Sequence, residues 1–155
     1  MKSILIVIFI ASVCHHASAQ LKRPAPPQKK LNPDSLHLKC PVPGAKLKTA
    51  SKEEYRFKDD LKAVLKNESD SLFLAPVDGK VDLITMGDGG KYEIVIGYHN
   101  YNIWLTGISQ VLVKKNDKIK TGQPVGKINP GDEVEILLFD DEEPVDPAKY
   151  LDCKR

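Results

Sequence analysis

Asp132-Glu133-Val134-Glu135-Ile136-Leu137-Leu138-Phe139, followed by Pro144-Val145-Asp146-Pro147, is the stretch on which the reading of this chain turns. Successive side chains of a strand point to opposite faces. Glu133, Glu135, Leu137 and Phe139 therefore share one face, and Val134, Ile136 and Leu138 share the other. The second face is wholly apolar and suits a core. The first sets two carboxylates beside two apolar side chains. The acidic run Asp140-Asp141-Glu142-Glu143 then suits a solvated hairpin tip.

Upstream, short apolar runs alternate with turn residues. Leu72–Ala75 is one such run, and Asp78-Gly79 turns it into Lys80–Ile84. Asp88-Gly89-Gly90 leads into Tyr92–Tyr98, and Asn100-Tyr101-Asn102 into Ile103–Leu105. Val111–Val113 and Pro124–Ile128 follow, and Pro130-Gly131 precedes the quoted strand. Many short strands with this punctuation predict a mainly β fold, an antiparallel sandwich or hybrid barrel. One short helix is expected within Ser51–Lys66, where Leu61, Val64 and Leu65 fall on one helical face.

The ends of the chain read differently. Lys2, the apolar run Ser3–Val13 and Ala17-Ser18-Ala19 have the pattern of a secretory signal peptide over residues 1–19. Its apolar run is too short for a permanent membrane span. Residues 20–43 form a Pro-rich basic arm carrying Lys22, Arg23, Lys29 and Lys30. Its prolines favour an extended chain. Residues 44–153 are expected to be the β domain. Removing Lys2 from 23 basic and 21 acidic side chains leaves the charge nearly balanced. That balance offers nothing to nucleic acid. Beyond the leader only Cys40 and Cys153 remain, and export predicts a disulfide between them.

Three segments, in order, resemble the LytM/lysostaphin-type zinc metallopeptidases. Leu74-Ala75-Pro76-Val77-Asp78-Gly79-Lys80-Val81 is similar to their A-P-x-D-G-x-V segment. Val111–Gly126, with Asn116-Asp117 and Thr121-Gly122-Gln123, is similar to V-x-x-G-D-x-V-x-x-G-Q-x-I-G. Glu133–Leu138, with Pro144-Val145-Asp146-Pro147 and Tyr150-Leu151, is similar to the H-L-H-F-E-V … P-V-D-P … Y-L ending. The resemblance covers residues 72–151. It implies a β-sheet domain with a groove across one face, holding bacterial cell-wall peptide.

It also implies a zinc ion held by His-x-x-x-Asp and the second histidine of His-x-His, with two further histidines assisting an attacking water. The chain has four histidines in all, and two, His15 and His16, lie in the leader. His37 belongs to the arm and His99 to a hairpin turn. Glu133 and Glu135 stand in place of His-x-His. Gly107 stands in place of the histidine of the central hairpin. Arg56-Phe57-Lys58-Asp59-Asp60 aligns with His-x-x-x-Asp, so Arg56 replaces the histidine and Asp60 remains. Two imidazoles cannot rebuild such a site in another register.

The expected function is therefore that of a non-catalytic, LytM-like domain, a pseudoenzyme in the periplasm or secreted. Its groove would bind peptidoglycan peptide or an envelope protein such as a cell-wall amidase, because degenerate members of the family regulate cell-wall hydrolases. Glu133, Glu135, Asp60, Arg56, Gly107, Trp104 and His99 are the expected groove residues, with Tyr101 as a further stacking wall. No cofactor is expected. Calcium would find oxygen ligands on Glu133, Glu135 and Asp60 but no dense ligand loop. The alternative is an active zinc endopeptidase cleaving peptidoglycan peptides, with a metal site rebuilt from His99 and the carboxylates.

Overall fold

The computed structural model describes residues 30–48, 61–66 and 71–153. The strands in chain order are β1 (Leu38–Lys39), β2 (Lys46–Lys48), β3 (Lys62–Lys66), β4 (Ser71–Leu74), β5 (Gly79–Met86), β6 (Tyr92–Tyr98) and β7 (Tyr101–Ile108). They continue with β8 (Gln110–Val111), β9 (Lys118–Ile119), β10 (Pro124–Ile128), β11 (Glu133–Asp140), β12 (Glu143–Val145) and β13 (Leu151–Asp152). Helical structure among the described residues is confined to three single 3₁₀ turns.

The main sheet runs β2-β3-β11-β7-β6-β5-β9, with β12 hairpinned onto β11. Its neighbours are antiparallel. The sheet has free edges at β2 and β9, so it is open and not a closed barrel. A second sheet, β4-β10-β8, lies beside it, and β1 pairs in parallel with β13.

The alternation read in Glu133–Phe139 holds. Val134, Ile136 and Leu138 are fully buried, and Glu133 is exposed. Across β7, Tyr101, Ile103, Leu105 and Ile108 join the same core, as do Ile94 and Ile96 of β6 and Phe73 of β4. Burying side chains of this size contributes about 1.5–3 kcal/mol each. The core face of the main sheet thus holds the domain together, and the opposite face is left for the site.

The helix expected within Ser51–Lys66 is corrected where the residues are described. Lys62–Lys66 is strand β3, hydrogen-bonded to β2 on one side and β11 on the other. Ala63, Val64 and Leu65 are buried in succession. Burial on both faces masks the period-two pattern, and a segment this short has too little helical stability of its own to resist pairing.

The second half of the Pro-rich stretch packs into the domain. Leu36, Leu38 and Val42 are core residues. Asn32 caps the 3₁₀ turn begun by Pro33. The Leu31 backbone N–H donates to Asn100 Oδ1 at 2.8 Å, and Lys30 pairs with Asp141 at 2.6 Å. The Cys40–Cys153 disulfide is formed, with Cα atoms 4.8 Å apart, and closes the β1–β13 pair.

Candidate functional site

The open face of the main sheet is organised in transverse rows, because side chains opposite one another in register share a face. Lys62 of β3 lies opposite Leu137 of β11, and Leu137 lies opposite Trp104 of β7. Trp104 lies opposite Val95 of β6, and Val95 opposite Leu83 of β5. An apolar row thus crosses four strands. Phe139 extends it, its ring set edge-on to Trp104 with centroids 6.4 Å apart.

Beside this row the sheet carries a cavity of about 310 Å³ lined by Glu133, Glu135, Glu93, Lys91, Thr106, Gly107 and Gly87. Glu93 folds over Gly87, and its carboxylate would have to swing aside for a side chain there. Gly107 has φ +83°, the left-handed region that favours glycine. A Cβ there would sit 2.9 Å from the Glu133 carbonyl oxygen. β11 therefore approaches this point too closely for a side chain.

The expected acidic groove is lined by ion pairs. Lys62 Nζ lies 2.6 Å from Glu135 Oε1, Lys48 Nζ lies 3.5 Å from Glu133 Oε1, and Lys91 Nζ lies 2.5 Å from Asp132 Oδ2. The Lys91 hydrogen bond, the largest cause, holds the Asp132 carboxyl below its ordinary range. The chemistry on offer is a largely charge-paired rim, with Glu93 as an additional acid, beside an aromatic and aliphatic floor. Reading the sequence missed Lys48, Lys62, Lys91 and Glu93. The lysines of β2 and β3 become visible as partners only when 62–66 is read as a strand antiparallel to Glu133–Leu137.

Of the expected groove residues, Glu133, Glu135 and Gly107 meet at the cavity, and Trp104 lies on the same face. His99 does not join them. It sits at φ 55° in the β6–β7 turn, its ring edge-on to Tyr98. Tyr101, two residues on, is opposite Asp140, whereas Glu135 neighbours the Leu105–Ile136 pair. His99 is therefore displaced by roughly 20 Å along the strands, at 3.3 Å per residue. Tyr101 is no stacking wall, because it points into the core and is 1% exposed. Arg56 and Asp60 lie outside the described residues.

Solved structures with this architecture include Csd3 from Helicobacter pylori, at TM-score 0.64 and 18% identity over 75% of this chain and 33% of that one. A family M twenty-three peptidase from Pseudomonas aeruginosa aligns at TM-score 0.63 and 20% identity, over 77% of this chain and 52% of that one. The chain has the LytM peptidase fold. A third match with this fold, in the SpoIIQ–SpoIIIAH pore-forming complex, has TM-score 0.61 and 20% identity, over 76% of this chain and 92% of that one. This chain spans about a third of the length of Csd3. No protein-family model and no curated protein matches it. At these identities the likeness is one of fold.

The LytM fold implies zinc, and the described residues do not fit it. Glu135, which the sequence resemblance aligns with the second histidine of His-x-His, has its Oε1 on Lys62. Gly107 has neither a side chain nor room for one. Zinc prefers nitrogen and sulfur donors, and a catalytic site needs three protein ligands converging on an open position. Among the described residues no three His, Cys, Asp or Glu side chains converge as a metal site.

Proposed function

We propose that this LytM-fold domain is exported and non-catalytic, and that it binds cell-wall peptide or an envelope protein along the open sheet face. The observation that carries the reading is the Lys62–Glu135 pair, because it sets a cation on the carboxylate that the resemblance aligns with a zinc-binding histidine. The histidine count supports it, because two of the four lie in the leader-like segment and His99 sits at a distant turn. The row of Leu137, Trp104, Val95 and Leu83 supports a binding role, since an apolar floor with a charged rim suits a peptide.

SpoIIQ, of the same fold, forms a complex with SpoIIIAH, so protein binding is compatible with this scaffold. A cell-wall amidase is the partner class that the LytM resemblance suggests. The test compares the wild type with Trp104→Ala and with Glu133→Ala/Glu135→Ala, in co-sedimentation with purified peptidoglycan and in binding to a purified envelope amidase. Saturable binding to either ligand that weakens about tenfold or more in Trp104→Ala is expected. Equal retention of all variants, or no binding to either ligand, counts against the groove.

A further inference from the structure

A second cavity, of about 770 Å³, lies away from the groove, where the β1–β13 pair meets the loops after β4 and β9. Its walls are tied together. Leu38 N–H donates to the Tyr150 carbonyl and Lys39 N–H to the Pro76 carbonyl, both at 2.9 Å. Gly122 N–H donates to the Ala75 carbonyl at 2.8 Å. The Cys40–Cys153 disulfide joins the two strands at their ends. The backbone of the walls is therefore set before any ligand arrives, while the His37, Lys39 and Lys149 side chains are exposed and adjust to it.

His37 and Lys39 are alternate residues of one extended segment and line the same cavity. Lys149, Tyr150 and Asp152 come from the C-terminal segment, and Thr121 from the loop after β9. Lys30, Lys48, Lys62, Lys80, Lys91 and Lys120 each sit on a carboxylate. Lys39 and Lys149 do not, nor do Lys46, Lys66, Lys114, Lys115, Lys118 and Lys127; what sets Lys39 and Lys149 apart is that they line one cavity. Among the described residues neither has a carboxylate within ion-pairing distance. This holds although Asp152 is the register partner of Lys39.

Two unneutralised ammonium groups and an imidazole thus share one preformed concavity with a single acid. Apolar walls strengthen the positive potential inside such a dish, and ammonium groups form their strongest hydrogen bonds with oxyanions. Tyr150 gives a half-buried ring wall for whatever carries the anion.

We infer that this dish is a binding site for an oxyanion, a phosphate or carboxylate group borne on a larger ligand. It is separate from the groove and does not depend on the groove's function. Lys39 and Lys149 provide the charge, His37 a further donor, and Tyr150 the surface against which the carrier lies.

The test is a nuclear magnetic resonance titration of the disulfide-intact protein with inorganic phosphate, and separately with acetate, at constant ionic strength. Saturable shifts concentrated at residues 37–39, 121 and 149–152 are expected. The Lys39→Gln/Lys149→Gln variant should bind about tenfold more weakly or worse, corresponding to two lost charge-assisted contacts. Lys114→Gln/Lys115→Gln, which removes two exposed lysines of another loop, should bind as the wild type does. Phosphate and acetate arms separate the two sources of the anion, and saturation by either supports the site. Shifts scattered over the surface lysines, an absence of saturation with both anions, or equal weakening in the two variants would overturn it. The circular dichroism spectrum of each variant confirms that loss of binding is not loss of fold.

Discussion

Lys62 reaches from β3 to β11 and sets its Nζ 2.6 Å from Glu135 Oε1. The two strands are paired over Glu133–Leu137 and Lys62–Lys66, so the contact follows from sheet register. The Lys62 side chain is 21% exposed and that of Glu135 38%, so solvent screens the pair. A double-mutant cycle with Lys62→Ala and Glu135→Ala, followed by urea unfolding, should give a coupling of about 0.5–1 kcal/mol. A coupling near zero would mean that the pair adds nothing to stability.

Gly107, which the resemblance aligns with a catalytic histidine, sits where no side chain fits without strain. With φ +83° and the Glu133 carbonyl in the way, Gly107→Ala should destabilise the domain by about 1–2 kcal/mol from backbone conformation alone, and more from the collision. Chemical denaturation reads this directly. A neutral Gly107→Ala would show that β11 can retreat and that the position tolerates a side chain.

Part of the acid limb of stability should trace to Asp78, alongside Asp132. Lys120 donates to its carboxylate at 2.8 Å, and the Thr121 N–H and hydroxyl donate at 2.8 and 2.9 Å. With the Lys120 hydrogen bond as the largest cause, the carboxyl is lowered to about 2. A depressed folded pKa means that the native state prefers the ionised form. Its contribution is full above the ordinary value near 3.8 and is lost as pH falls toward 2. Asp78→Asn should therefore flatten the dependence of the denaturation midpoint on pH between about 4 and 2. An unchanged slope would remove Asp78 from that limb.

The disulfide closes a separation of 113 residues. In the chain-entropy model such a loop stabilises by about 4–5 kcal/mol, through restriction of the unfolded chain. Urea unfolding with and without reductant should differ by an amount of this order. A difference under about 1 kcal/mol would indicate that the unfolded chain is already constrained.

The part of the fold legible in the sequence is the part governed by local pattern. Val134, Ile136 and Leu138 alternate with Glu133, Glu135, Leu137 and Phe139 on the other face, and the Asp140–Glu143 run closes the β11–β12 hairpin as its charges suggest. Cys40 and Cys153 are the only cysteines after residue 19. β3 was not legible, because Ala63-Val64-Leu65 is buried without alternation and its strand state comes from partners on both sides. The candidate site inherited that miss. Glu133 and Glu135 were visible on one face, but Lys48 and Lys62 reach them only through the β2–β3–β11 order, which no local motif encodes. Tyr101 and Trp104 likewise needed β7 to begin at Tyr101, which sends one side chain into the core and the other onto the open face.

The central claim is that this groove does not perform zinc-dependent hydrolysis. The direct measurement is the zinc content of the purified protein after equilibration with the metal and desalting, paired with release of soluble fragments from peptidoglycan. The account predicts well below one zinc per chain and no release that a chelator abolishes. One zinc per chain with chelator-sensitive release would contradict it.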